Sequence, residues 1–236
     1  MTKPSIEHLQ DAIGYHFRTP DLLTEALTHS SYSSESSGRA KDNERLEFLG
    51  DAVLGFIVSG LLIRTFPTHS EGKLSRARSR LVATEHLSDS AARLGLGDYL
   101  RLGHGEEKTG GRSKARLAVD ALEALVAAIY LDGGVRAAKR FITRFILPPD
   151  LKAASEFLFA VDYKSALQEY LQAERLGAAA YRIVSENGPE HRKTFTVEVS
   201  ASDRVARGVG GSKKVAEQEA ARRCLELLER SRLTGA

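Results

Sequence analysis

The chain has 236 residues, 42% of them hydrophobic and 28% charged, with 34 Lys and Arg against 31 Asp and Glu. At roughly 100–200 residues per domain the length fits one large domain or two smaller ones, and a net charge of +3 leaves any affinity for a polyanion to local clustering. A single cysteine, Cys224, excludes an intrachain disulfide framework and a CxxC-type zinc site. The opening MTKPSIEHLQDAIG has no signal-like apolar core, and the uncharged apolar run 52–63 falls short of the about 18–20 residues that cross a bilayer. These features point to a cytoplasmic protein without a membrane segment.

Apolar residues recur at helical spacing over 13–27, 46–63, 81–94, 117–131 and 135–145 without strand-like alternation, so residues 1–147 read as helical. The breaks fall at turn formers: Pro20, 30–38, 67–72, 95–105, Gly110-Gly111 and Gly133-Gly134, with Pro148-Pro149 closing the last helix. The serine run 30–37 is too polar to bury surface and reads as a mobile loop. Beyond the prolines the pattern changes. A helix over 162–173 is followed by β-type runs at 181–185, 194–200 and 204–209, turned by Asn187-Gly188-Pro189 and by Ser202-Asp203. A last helix, 212–228, carries the stripe Ala216, Ala220, Cys224, Leu227 and Leu228, with Cys224 as core. This α-β-β-β-α order predicts a second domain, with the boundary between Leu147 and Asp162.

The loudest chemistry is NERLEFLGDAVL at 43–54. Glu47 and Asp51, four apart, share one helix face, and Leu46, Phe48, Leu49, Ala52, Val53 and Leu54 around them must be packed. In LAVDALEALVAAIYL at 117–131 the acids are Asp120 and Glu123, three apart, and with no Lys or Arg in that stretch no local salt bridge is available. Carboxylates in apolar helices are costly unless paired or metal-bound. Two readings stay open: an oxygen-rich site for Mg²⁺ or Mn²⁺, or ion pairs to Arg45, Arg76, Arg78 or Arg80 from a neighbouring helix. His29 and His104 read as structural or solvated residues on loops.

Three stretches carry cations and no acid: 73–80, 108–116 and 204–214. Together they predict a distributed polyanion footprint. With Ser212 as N-cap, Lys213 and Lys214 sit in the first helical turn, where the helix dipole disfavours them until an anion binds; Gly208, Gly210 and Gly211 would let backbone approach a phosphate.

NERLEFLGDAVL resembles the signature of bacterial ribonuclease III. The likeness continues with ALTHSSY at 26–32, EGKLSRARSRLV at 71–82, LGHGEEKTGGR at 102–112 and DALEALVAAIYLDGG at 120–134. The tail resembles the double-stranded RNA-binding domain in DYKSALQEYLQ at 162–172, GPEHRKTFTVEV at 188–199 and GGSKKVAEQEAA at 210–221. The resemblance implies a mainly α chain: an all-helical endonuclease domain over 1–150 that forms a homodimer, then a small α+β RNA-binding domain over 161–231. It implies that Glu47, Asp51, Asp120 and Glu123 hold Mg²⁺, with Mn²⁺ substituting, and that Asp51 and Glu123 are catalytic. Glu44 and Glu71 match accessory acids, and Phe48 a residue that packs into the partner subunit. Ser165, Gln168, His191, Lys213 and Lys214 match RNA-contacting positions. The implied reaction is hydrolysis of double-stranded RNA to 5′-phosphate and 3′-hydroxyl ends, in ribosomal and messenger RNA processing. Position 165 is Ser where Thr is commoner, and His104 has no assigned consequence. The competing readings are a double-stranded RNA-binding regulator that does not cut, and a processing scaffold. The four acids speak against the first, because without a cation they would repel a phosphate backbone.

Overall fold

A computed structural model describes residues 5–36, 40–160, 162–189 and 193–234. The chain divides into two compact units, Met1–Phe159 and Ala160–Ala236.

The first unit is built from α1 (Ile6–Ile13), α2 (Pro20–Ala26), α3 (Ser30–Glu35), α4 (Glu44–Thr65), α5 (Glu71–Leu81), α6 (Thr84–Arg93), α7 (Leu96–Tyr99), α8 (His104–Lys108), α9 (Ala115–Phe141) and α10 (Ser155–Leu158). The periodic run 13–27 is two helices, because Gly14 ends α1 in the left-handed region (φ 65°) and Pro20 opens α2 at its first turn. Asp132 of α9 is buried beneath that junction. It accepts hydrogen bonds from Tyr15 Oη (2.7 Å), Arg18 N–H (3.0 Å) and Thr19 N–H (2.9 Å).

α4 and α9 form the centre of the unit. Val53, Leu54, Ile57, Val58 and Leu62 of α4 join Leu122, Leu125, Val126 and Ile129 of α9 in one core, with Leu23, Leu27, Leu81 and Leu87 packed around them. The two backbones come together at Gly50, where a Cβ would be driven into the backbone carbonyl of Glu123. The break expected at Gly133-Gly134 is a kink inside α9, with Gly134 at φ 72°. A single π-type turn, Ile142–Ile146, then leads to the two prolines.

Several expectations change. The first part of the serine run is the helix α3, not a loop, because its side chains are tied to the N-terminal end of α8. Gly103 N–H donates to Ser31 Oγ (3.0 Å), and Glu35 accepts from His104 N–H (2.8 Å) and Gly105 N–H (3.3 Å). His104 therefore engages that contact through its backbone. Phe48 and Ala52 are not packed: Phe48 is 82% exposed, on an outward face of α4 shared with Phe56 and Ile63. By length and composition alone the 22-residue α4 could cross a bilayer; seven of its residues are instead buried in the core described here.

The second unit comprises α11 (Tyr163–Ala173), β1 (Ala180–Asn187), β2 (Thr194–Ala201), β3 (Arg204–Gly210) and α12 (Lys213–Thr234). Its antiparallel sheet has the order β1-β2-β3, and Ser202 takes the left-handed conformation (φ 54°) in the β2–β3 turn. Leu167, Leu171, Val199, Ala206, Ala220, Cys224 and Leu228 form its core. Ala221 completes the stripe in place of Leu227, which is turned outward. Gly208 and Gly210 face α12 rather than open space, since a Cβ at either would strike the backbone of Ala216. Their small size serves strand–helix packing, and Gly211 alone of the three has room beside it.

Gly50→Ala is expected to destabilise the chain by about 1–3 kcal/mol or more, as overpacking does when backbone must give way. The check is the urea midpoint of unfolding; an unchanged midpoint would contradict the close α4–α9 contact.

Candidate active site

α4 and α9 present their acids to the same cavity, of about 720 Å³, walled in addition by His29, Ser30 and Asn43. Glu47, Asp120 and Glu123 each offer a carboxylate oxygen within 4.8 Å of the others. Asp51, one turn beyond Glu47, lines the same cavity but stands outside that triplet. Glu44, at the first turn of α4, also lines it. Glu71 does not: it opens α5 and lines a separate groove of about 300 Å³ with Ser59, Ile63 and Arg78.

The cluster is electrostatically frustrated. Burial raises the Glu123 carboxyl to about 7, reinforced by the charges of Asp51, Glu47 and Asp120. Burial also raises Glu47, with Asp120 adding to the shift and Arg116 opposing it. Asp120 is raised by burial against the pull of Arg116 and His29. Arg116, just before the stretch that holds no cation, is the local partner the spacing missed. It comes within 4.0 Å of Asp120 on a side chain 85% exposed, a geometry worth little in water. The other cations weighed for this role are used elsewhere or make no ion pair with the cluster among the described residues. Arg78 donates to Ser59 Oγ (3.3 Å) and Arg80 to the carbonyls of Phe157 (2.7 Å) and Leu158 (2.9 Å). Three converging carboxylates, incompletely neutralised and with no sulfur donor beside them, fit a hard divalent cation.

Residues 19–150 match the family model described as ribonuclease-III-like, and residues 163–228 match the double-stranded RNA binding motif. The chain is 48% identical to ribonuclease 3 of Solibacter usitatus over 93% of its own length and 86% of the relative's. It is 46% identical to ribonuclease 3 of Geobacter sulfurreducens over 98% and 94%. The chain belongs to the ribonuclease III family. Two solved structures of the ribonuclease III nuclease domain from Campylobacter jejuni share the fold. One is 40% identical with a TM-score of 0.56, over 60% of this chain and 93% of that one. The other, 38% identical with a TM-score of 0.57, covers 66% of this chain and all of that one; it is described by flexibility in the region that forms its dimer. The chain is thus an endonuclease of a metal-dependent family whose known activity is cleavage of double-stranded RNA, and it carries the corresponding RNA-binding domain.

In that domain the N-terminal ends of α11 and α12 are fastened together. Gln218 accepts from Tyr163 N–H (2.7 Å) and donates to Asp162 Oδ1 (2.7 Å), while Lys164 pairs with Glu217 (2.7 Å). Sequence reasoning passed over Gln218, although it lies inside the GGSKKVAEQEAA motif. Ser165 and Gln168 are exposed on α11; the Ser165 hydroxyl donates to the N-cap Asp162 (3.0 Å). Ser212 Oγ accepts from Val215 N–H (3.2 Å), as an N-cap does, which puts Lys213 and Lys214 in the first turn. Lys213 reaches Glu186 of β1 (3.1 Å), and Lys214 is exposed. His191 lies outside the described residues. The three basic stretches are less free than their composition suggested. Arg112 pairs with Glu107 (2.5 Å), Lys114 with Glu106 (2.6 Å), Arg204 with Asp203 (3.5 Å) and Arg207 with Glu198 (2.8 Å).

The raised Glu123 carboxyl has a stability consequence. Below the ordinary carboxylate range the group is neutral whether the chain is folded or not. Between the ordinary carboxylate range and about 7 the unfolded chain gives up this proton while the folded chain keeps it, so stability falls over that interval and the loss is complete above about 7. Glu123→Gln is therefore expected to raise the thermal midpoint of metal-free protein at pH 8 and to leave it nearly unchanged at pH 4. Equal effects at both pH values would contradict the frustration.

Proposed function

We propose that Glu47, Asp51, Asp120 and Glu123 hold Mg²⁺, with Mn²⁺ able to substitute, and that Asp51 and Glu123 are catalytic in hydrolysing the phosphodiester bonds of double-stranded RNA to 5′-phosphate and 3′-hydroxyl ends. The observation that supports this most is the convergence of the Glu47, Asp120 and Glu123 oxygens within 4.8 Å in a chain of this family. A divalent cation bound there supplies a Lewis acid that activates water and neutralises charge developing on the phosphate. The chain's own acids hold and orient, and the apolar walls from α4 and α9 keep them from relaxing apart. Asp51, whose charge is the largest neighbouring push on Glu123, completes the anionic set without joining the tight triplet. Glu44 borders the cavity as an accessory acid, and Glu71 is the second accessory candidate, from a different groove.

The outward face of α4 supports a homodimer of the endonuclease domain (1–150). Phe48, Phe56 and Ile63 expose more apolar surface on one helix than a solvated face needs, and the Campylobacter nuclease domain is described as having a dimer-forming region. In the RNA-binding domain (161–231) we assign RNA contact to Ser165, Gln168, His191, Lys213 and Lys214: Gln168 and His191 at the minor groove, the lysines on phosphates. Lys213 would exchange Glu186 for an RNA phosphate. The setting is cytoplasmic processing of ribosomal and messenger RNA.

The test is cleavage of a labelled, perfectly paired RNA duplex in Mg²⁺. The parent is expected to cut, Glu123→Ala to lose about 10²–10³-fold in rate, and EDTA to abolish cutting. Binding without cutting by the parent in either Mg²⁺ or Mn²⁺ would favour the non-cutting regulator and make the acid cluster structural.

A further inference from the structure

A cavity that handles a phosphodiester needs donors for the phosphate oxygens as well as carboxylates for a cation, and acids dominate this one. Four walling residues carry N–H or O–H groups on their side chains: Arg116, Asn43, Ser30 and His29. Arg116 is 85% exposed on a long arm. The Asn43 amide nitrogen is turned toward the carbonyl of Ala26 (3.4 Å). No bond among the described residues holds the Ser30 hydroxyl. His29 is different, because its backbone and its ring are both fixed.

The strand-like step Leu27–His29 is clamped to Arg101. Arg101 N–H donates to the Leu27 carbonyl (2.8 Å) and His29 N–H to the Arg101 carbonyl (3.1 Å), while Asn43 N–H donates to the Thr28 carbonyl (2.8 Å). The ring is set by Ser31. Ser31 N–H donates to His29 Nδ1 (3.2 Å), and Ser31 Oγ stands 2.9 Å from the same nitrogen. Ser31 Oγ itself accepts from Gly103 N–H (3.0 Å), which leaves its own proton for Nδ1. A nitrogen that receives a backbone N–H must present a lone pair, so in the neutral imidazole the proton resides on Nε2. Among the described residues no hydrogen bond takes up Nε2, and His29 walls the cavity that holds Asp120. The relay Gly103–Ser31–His29 thus leaves one preorganised donor, Nε2–H, on a residue that walls a basin of carboxylates that offer none.

We propose that His29 is a further catalytic residue, its Nε2–H donating a hydrogen bond to a non-bridging oxygen of the scissile phosphate. This rests on the acid cluster being the cleavage site. The bond needs no change of protonation in the ring and complements the carboxylates: they hold the cation, and His29 holds an oxygen of the group being attacked. It also gives a use to the contact between α3 and the N-terminal end of α8, where Gly103 leaves room for Glu35 and the Ser31 carbonyl.

Two isosteres separate this role from simple helix capping. Asn places its amide oxygen near the Nδ1 position and keeps the cap on Ser31 N–H, but has nothing at Nε2; Gln places an amide N–H near Nε2. The measurements are single-turnover cleavage of a perfect RNA duplex in Mg²⁺, duplex affinity in EDTA, and the thermal midpoint, with Glu123→Gln as reference. His29→Asn is expected to keep its fold and its duplex affinity while cleaving about 10- to 100-fold more slowly, the effect of losing one hydrogen bond to a charged group. His29→Gln is expected to recover part of the rate. Cleavage by His29→Asn at the parent rate, or His29→Gln no faster than His29→Asn, would overturn the assignment while leaving the acid site standing. A parent chain that leaves the duplex intact, or a Glu123→Gln variant that cuts it normally, would overturn the site reading and His29's role with it.

Discussion

The active end of this molecule depends on one close approach of backbone. At Gly50, α4 lies against the carbonyl of Glu123, a separation that admits no Cβ. Glu47 stands one turn before that point and Asp51 next to it, while Glu123 is at the contact itself and Asp120 one turn earlier on α9. Packing of the apolar flanks therefore forces carboxylates together that would otherwise separate. The energy comes from the core around Leu54, Val58, Leu122 and Leu125, and part of it is spent against the burial, reinforced by like charges, that lifts Glu123 to about 7. A site that is frustrated when bare is arranged to take up positive charge.

The second unit solves a different problem with similar means. Gly208 and Gly210 let β3 meet α12 closely, and Gln218 with Glu217 fastens the start of α11 to the first turns of α12. The exposed polar side chains Ser165 and Gln168 and the lysines of α12 are thereby carried on helix ends joined by hydrogen bonds. Lys213 is held by Glu186 of β1.

Much of this was legible in the sequence. Acids at helical spacing inside apolar runs conflict with the hydrophobic pattern, and such local conflicts mark functional sites. The three β-type runs are found within a few residues of where alternation places them, and the chain turns from β2 to β3 at Ser202. What was missed has physical reasons. Composition cannot separate a buried face of an apolar helix from an exposed one, so Phe48 and Ala52 read as packed. A serine run is indistinguishable from a loop until its side chains find distant partners, as Ser31 and Glu35 do at 103–105. Arg116 escaped notice by lying one residue outside the apolar stretch. Gly50 gives no signal of its own inside a helix, since its role appears only when α9 is set against it.

The central claim is that the α4–α9 contact assembles carboxylates whose repulsion a divalent cation relieves. Its most direct measurement is the thermal midpoint at pH 8 as Mn²⁺ is added, for the parent and for Glu123→Gln. The parent midpoint is expected to climb with the logarithm of free metal, by about 1.4 kcal/mol of stability per tenfold once the site is saturated. In Glu123→Gln the rise is expected to begin only at higher metal. A midpoint independent of Mn²⁺ in the parent, or an identical rise in both proteins, would contradict it.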